Sequence, residues 1–247
     1  MEKIKKVKRI LMEEAFYDHA WGEWDDMKQY GPVSRHVRRL IFKMLGGIEF
    51  ASVLDVGCGV GTLLQEIKSK YPHVELAGTE YASTGLEITQ SRIPDGQFSQ
   101  LDLSKSHLDE TYDLLFCIDV LEHIDDDVSA MRNLRAMTNK YLLAVVPIGP
   151  LFEIERERVG HVHGYKWQEF DQKLEDADFD IVRHIQWGFP FYNIYRRILH
   201  RLPESTVSGK YGLYKRFISF TLYVLHFLNL PVFGERHFVL CKITEEI

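Results

Sequence analysis

Cysteine is scarce in this chain of 247 residues: Cys58, Cys117 and Cys241 are far apart and form no CxxC pair. That argues against a disulfide framework or a zinc site and suits a reducing compartment, so a cytoplasmic location is expected. A basic excess is also missing. Thirty Lys and Arg stand against 36 Asp and Glu, a net charge of −6, and nucleic acid is not expected as a partner. No Pro/Gly/Ser-rich tract marks a linker, and no internal repeat is found. The basic start is interrupted by Glu13 and Glu14 before a signal-type apolar core forms. One stretch, residues 217–233, carries no formal charge, but it contains Ser219, Thr221, His226, Asn229 and Pro231. A buried or interfacial helix is expected there in preference to a membrane span.

What is present is an alternation of short apolar runs with amphipathic segments. Residues 1–47 read as helical, ended by Gly46-Gly47. Strands are expected at 51–56, 74–79, 97–101, 112–118 and 141–146, with helices at 62–70, 84–91 and 126–137 between them. Strands apolar on both faces and alternating with helices predict a parallel sheet covered on both sides. Beyond residue 150 the pattern changes. A helix at 167–177 and strands at 179–185 and 237–243 are expected. Between Trp187 and Phe238 lie 13 of the 31 aromatics, and between Arg196 and Arg216 six Lys/Arg face one acid, Glu204. The whole is expected to be one α/β domain: a helical lid at 1–47, a core at 48–150 and a substrate-side region at 151–247.

The run Val53-Leu54-Asp55-Val56-Gly57-Cys58-Gly59-Val60-Gly61-Thr62 leads an apolar strand into three alternate glycines and then a helix. Glycine permits the turn and lets a ligand approach the backbone, and the helix start offers unpaired N–H groups. The pattern is not GxGxxG, because Thr62 stands at its last position, and no Lys is placed as in a phosphate loop. Asp55 would repel a phosphate and suits a ligand bearing an ammonium or sulfonium. Glu80 follows the second strand, where an acid can accept hydrogen bonds from two ribose hydroxyls. Asp102 follows the third strand and can accept from an exocyclic amine.

The series DVGCGVG, Glu80, Asp102 and YDLLFCIDVLEHI resembles the class I S-adenosylmethionine-dependent methyltransferases, most of all the branch with the ubiquinone-type O-methyltransferases and enzymes of small-molecule and polysaccharide pathways. The match covers residues 50–150 well and the flanks weakly. The resemblance implies a Rossmann-like seven-stranded sheet with the last strand antiparallel. It implies S-adenosylmethionine as cofactor and S-adenosylhomocysteine as product. It places Asp55, Gly57, Cys58, Gly59 and Gly61 near the methionine part, Glu80 with Tyr81 at the ribose, and Asp102 with Leu103 at the adenine. Ile118, Asp119 and Val120 fall beside the methionine. By similarity to related enzymes, Tyr17 and Arg35 are assigned to the cofactor carboxylate.

Methyl transfer from a sulfonium is an in-line displacement, and a hydroxyl acceptor benefits from a positioned base. His123, just past the fourth strand, and His161, in the loop after the fifth, are the candidate catalytic residues; a packing role is the alternative for each. His163, Trp187, Phe191, Tyr192 and Tyr195 are candidates for the acceptor pocket, whose aromatic character suits a large apolar or ring-shaped molecule. A divalent site of His161 and His163 with Glu153 or Glu155 is not expected, since no further ligands are arranged around it and no acid follows the fifth strand; no metal is assigned. The basic residues Arg196, Arg197, Arg201, Lys210, Lys215 and Arg216 beside apolar sequence suit contact with a membrane surface or a phosphorylated lipid-like substrate, or else form the solvated face of a core helix. The expected activity is methyl transfer to a hydroxyl oxygen of a small-molecule acceptor. Two alternatives stay open: C-methylation of an apolar or lipid-like acceptor, and a catalytically silent nucleoside-binding protein of the same fold.

Overall fold

In the central strands alternate side chains feed two separate apolar layers. Leu54, Val56, Leu115 and Cys117 pack on one face, while Val53, Leu114 and Phe116 pack on the other. The computed structural model describes residues 17, 18 and 20–244. The first 16 residues of the expected lid, and residue 19 within it, lie outside the described residues.

Seven strands form one sheet in the order β3-β2-β1-β4-β5-β7-β6. They are β1 (Ser52–Val56), β2 (Glu75–Glu80), β3 (Gln97–Gln100), β4 (Tyr112–Ile118), β5 (Thr138–Pro147), β6 (Phe179–Trp187) and β7 (Arg236–Ile243). The first five strands pair in parallel, and β7 runs antiparallel to both β5 and β6. Chain order reverses between β1 and β4, and such a switch point leaves a crevice outside the strand carboxyl ends. Because β7 runs the other way, its first residue, Arg236, reaches that same end beside Pro147.

Helix α1 (residues 20–30) is followed at Gly31 by α2 (Pro32–Met44). Proline at the first helical position needs no N–H partner and starts α2 cleanly. Val37, Leu40, Ile41 and Met44 then bury one face of it. Next come α3 (Thr62–Lys70), α4 (Ser83–Arg92), α5 (Asp127–Met137) and α6 (Glu153–Arg158), the last unanticipated in the loop after β5. Helix α5 passes directly into β5, so that strand begins three residues before the apolar run does. Then follow α7 (Trp167–Glu175), α8 (Phe191–Leu199) and α9 (Leu213–Leu225), the last leading into a short turn at His226–Leu228. No helix among the described residues is long and apolar enough to cross a membrane.

Candidate cofactor and active site

Asp55 is a buried member of β1, level with Gly78 of β2 and Phe116 of β4. The chain then turns through Gly57, Gly59 and Gly61 with φ of 77°, 54° and 73°, the left-handed region that glycine enters without strain. Each also lacks room for a side chain. A Cβ on Gly57 would stand 2.4 Å from Val120, one on Gly59 2.7 Å from the Trp21 ring, and one on Gly61 2.8 Å from Thr89. Gly57 and Cys58 donate their N–H groups to the Thr79 carbonyl at 2.7 and 2.9 Å. Glu80 ties the loop down from β2, accepting from Gly59 N at 2.8 Å and from Tyr81 N at 2.9 Å.

Three carboxylates therefore crowd the crevice. Burial pushes the Asp55 carboxyl up to about 7, with Glu80 adding to the rise and the Lys28 ammonium of α1 opposing it. Burial likewise raises Glu80, against the N–H groups that it accepts. Burial would also raise Asp119, but the adjacent Arg236 guanidinium, with Lys28, holds it below the ordinary carboxylate range. Asp119 sits at φ 59°, an uncommon conformation for a non-glycine residue. Arg236 reaches Asp119 and the Tyr192 hydroxyl.

Next to Asp119 a second group assembles. Glu122 is buried, with Oε2 unpartnered among the described residues. His161 places Nε2 4.0 Å from Glu122 Oε1 and leaves Nδ1 unpartnered. The His123 and His161 rings meet edge to face at 4.8 Å, and Tyr17 Oη lies 3.0 Å from His123 Nδ1. Burial drives His161 down to about 4 and His123 to about 3, so both imidazoles are neutral near pH 7. Burial, then the Asp119 charge, pushes the Glu122 carboxyl well up. A neutral imidazole has a lone pair with which to accept a proton. Glu122, His123 and His161 also offer donor atoms within 4.8 Å of one another, a set able to hold a metal ion.

Several sequence assignments are relocated. Arg35 lies over the Tyr223 ring at 3.7 Å, in the contact between α2 and α9, and the crevice cations are instead Lys28 and Arg236. Tyr17 stands beside His123. Trp187, expected in the acceptor pocket, is buried in the core, stacked between Tyr192 and His36. His163 bonds the Ile124 carbonyl at 2.8 Å and stacks on Tyr165, while Glu155 is committed to Arg196. Arg196 is no surface cation: it is buried, donating to both Glu155 oxygens at 2.7 Å and to Glu235 at 3.1 Å. Asp102 closes a local turn onto Ser104 and Lys105, with Leu103 buried beside it. Tyr81 and Ile118 are half-buried near the strand ends, as are Phe191 and Tyr195 on α8. Glu122, Arg236, Lys28 and Trp21 were missed. An acid directly before His123 at the end of a central strand was a readable signal for Glu122; nothing local marked Arg236.

A sheet of this order, with a glycine turn and an acid on the next strand tip, defines the class I methyltransferase fold. Residues 54–140 match the family model described as a methyltransferase domain. Among curated relatives, the ubiquinone biosynthesis O-methyltransferase of Hydrogenovibrio crunogenus is 29% identical over 118 residues, covering 44% of this chain and 48% of the relative. The demethylmenaquinone methyltransferase of Thermotoga maritima is 24% identical over 153 residues, covering 60% and 66%. Among solved structures, the N-methyltransferase NodS of Bradyrhizobium japonicum, in complex with S-adenosylhomocysteine, superposes with a TM-score of 0.63 at 13% identity, covering 94% of this chain and 99% of that one. The matched segment, the relatives and the shared fold support a class I S-adenosylmethionine-dependent methyltransferase. It spans about half the length of the first curated relatives that it matches.

Proposed function

We propose that this chain, acting as one catalytic unit, transfers a methyl group from S-adenosylmethionine to a hydroxyl oxygen of a small-molecule acceptor. The observation that carries the reading is the pairing of the glycine cradle and its acids with the Glu122–His123–His161 group, joined through Asp119.

The residues fit the cofactor. Trp21 Nε1, Thr79 Oγ1, Glu122 Oε2 and His161 Nδ1 are buried polar atoms without partners among the described residues, and the side chains of Val120, Trp21 and Thr89 close over the three glycines where no Cβ stands in their way. Asp55, Gly57 and Gly59 would hold the methionine part, Glu80 the ribose through lone pairs its N–H donors leave open, and Leu103 the base. Arg236 and Lys28 are the cations available to a carboxylate. When bound, S-adenosylmethionine supplies an electrophilic methyl group on a sulfonium. The protein's share is to bind, orient and move a proton. His161 Nδ1 takes the acceptor's hydroxyl proton, and the nearby Glu155 and Asp119 charges favour the imidazolium. Trp21, seated on Gly59 and close to Gly85, shields the loop from water. Tyr17 fixes the His123 ring, which in turn sets the face of His161.

Isothermal titration with S-adenosylhomocysteine tests the site. Binding to the wild-type chain, weakened in Asp55→Ala and Glu80→Ala, is expected; unchanged affinity in both variants refutes the assignment. Activity that survives exhaustive chelation separates the base reading from a metal held by Glu122, His123 and His161.

A further inference from the structure

Helix α9 is inside out. An ordinary helix of a globular protein turns its apolar stripe to the core, yet of the 13 residues of α9 only Ser219 is buried. Leu213, Tyr214 and Phe217 are 89%, 79% and 69% exposed, and Phe220 and Val224 continue the stripe one helical turn at a time. Ile194 and Ile198 of α8 are exposed as well, and so are Phe227, Leu228, Leu230 and Val232 after α9. Phe233 closes the set, 77% exposed at φ 56°, where a bulky side chain is strained.

This surface is firmly held. Leu230 N donates to Phe189 O at 2.7 Å, Asn193 Nδ2 donates to Phe233 O at 3.2 Å, and Asn229 Oδ1 receives the N–H groups of Phe191 and Tyr192. Ser219 and His36 fasten α9 to the N-terminal helices through the Tyr30 and Tyr223 carbonyls. So large an exposed apolar patch marks an interaction site.

The charge identifies the partner. No Asp or Glu occurs from Ser205 to Gly234, whereas Lys210, Lys215 and Arg216 do, in a chain whose net charge is −6. Arg201, just beyond α8, adds an exposed cation, whereas Arg197 is paired with Glu235. A second copy meeting this face symmetrically would bring like charges together. An apolar face with a cationic flank matches an anionic lipid surface, where apolar side chains enter the acyl boundary and Lys and Arg meet the headgroups. We propose that the α8–α9 face docks this protein on an anionic bilayer, lying on it without crossing it. The face also adjoins the crevice, since Tyr192 of α8 holds Arg236 against Asp119. A membrane-resident acceptor is then within reach, a corollary that rests on the methyl-transfer reading.

The test is sedimentation with vesicles of phosphatidylglycerol and phosphatidylcholine in equal parts, against phosphatidylcholine alone, without cofactor or acceptor. Binding to the anionic vesicles, reversed by salt, is expected. Phe217→Glu with Phe220→Glu should weaken it at least roughly ten-fold, and Arg201→Glu and Lys210→Glu about five-fold each. Circular dichroism and S-adenosylhomocysteine titration confirm that the variants stay folded. Absence of binding, or binding unchanged in the double Phe variant, overturns the proposal. So does light scattering that gives a dimer dissociated by the same substitutions. Vesicle binding without affinity for S-adenosylhomocysteine would keep the docking surface and sink the methyl-transfer reading alone.

Discussion

The crevice at the strand tips and the α8–α9 face reverse each other's ordinary chemistry. In the crevice, charged groups are buried: Asp55, Glu80 and Glu122 are withdrawn from water by the sheet. On the α8–α9 face, Leu213, Phe217 and Phe233 are left in water. Both arrangements cost free energy in the isolated protein. On the two proposals made above, the cost in each would be offset by the matching partner, a cation-bearing nucleoside in one and a lipid surface in the other.

The sharpest way to break this comparison is at the base. His161→Ala should lower kcat by roughly 10²- to 10⁴-fold, with cofactor affinity retained in calorimetry. An equal loss of affinity would make His161 a structural residue. Next in size, Trp187→Ala should destabilise the fold by about 3–5 kcal/mol in urea unfolding, because it empties a stacked site between Tyr192 and His36. A Trp that lined an open pocket would cost far less.

Asp55 supplies a pH test. Its folded carboxyl lies near 7, above the usual value of 3.8. The native state therefore binds an extra proton between those values, and this contribution to stability is lost as pH rises through about 7. A cationic ligand favours the ionised form, so cofactor affinity should tighten as pH passes upward through 7. Asp55→Asn should abolish that dependence, lower affinity by roughly ten-fold or more, and raise the thermal midpoint of the ligand-free protein at pH 8. A pH-independent affinity in the wild-type chain would remove Asp55 from the site. The smallest effect belongs to the other region: Phe217→Ser should change stability by no more than about 0.5 kcal/mol, because that side chain is 69% exposed. A large loss there would mean that α9 is buried by part of this chain.

The alternating core and the glycine turn were legible because they are local. Strand and helix periods, and the positive φ that Gly57, Gly59 and Gly61 supply, are written in consecutive residues. His161 and His123 were legible as candidates because they stand just beyond strand ends. Arg35 and Trp187 were misplaced because residue type alone does not tell which neighbour an aromatic or guanidinium meets. Arg35 found Tyr223, 188 positions away.

The sequence by itself determined the α/β sheet, the cofactor loop and the acid that follows β2, since short-range backbone geometry and hydrophobic period decide them. Only the tertiary structure decided that Arg236 faces Asp119, that Lys28 and Trp21 stand over the loop and that α9 turns its apolar side outward. Those depend on an antiparallel strand returning the chain to the crevice and on which helix face finds a surface to cover, and no window of neighbouring residues carries either.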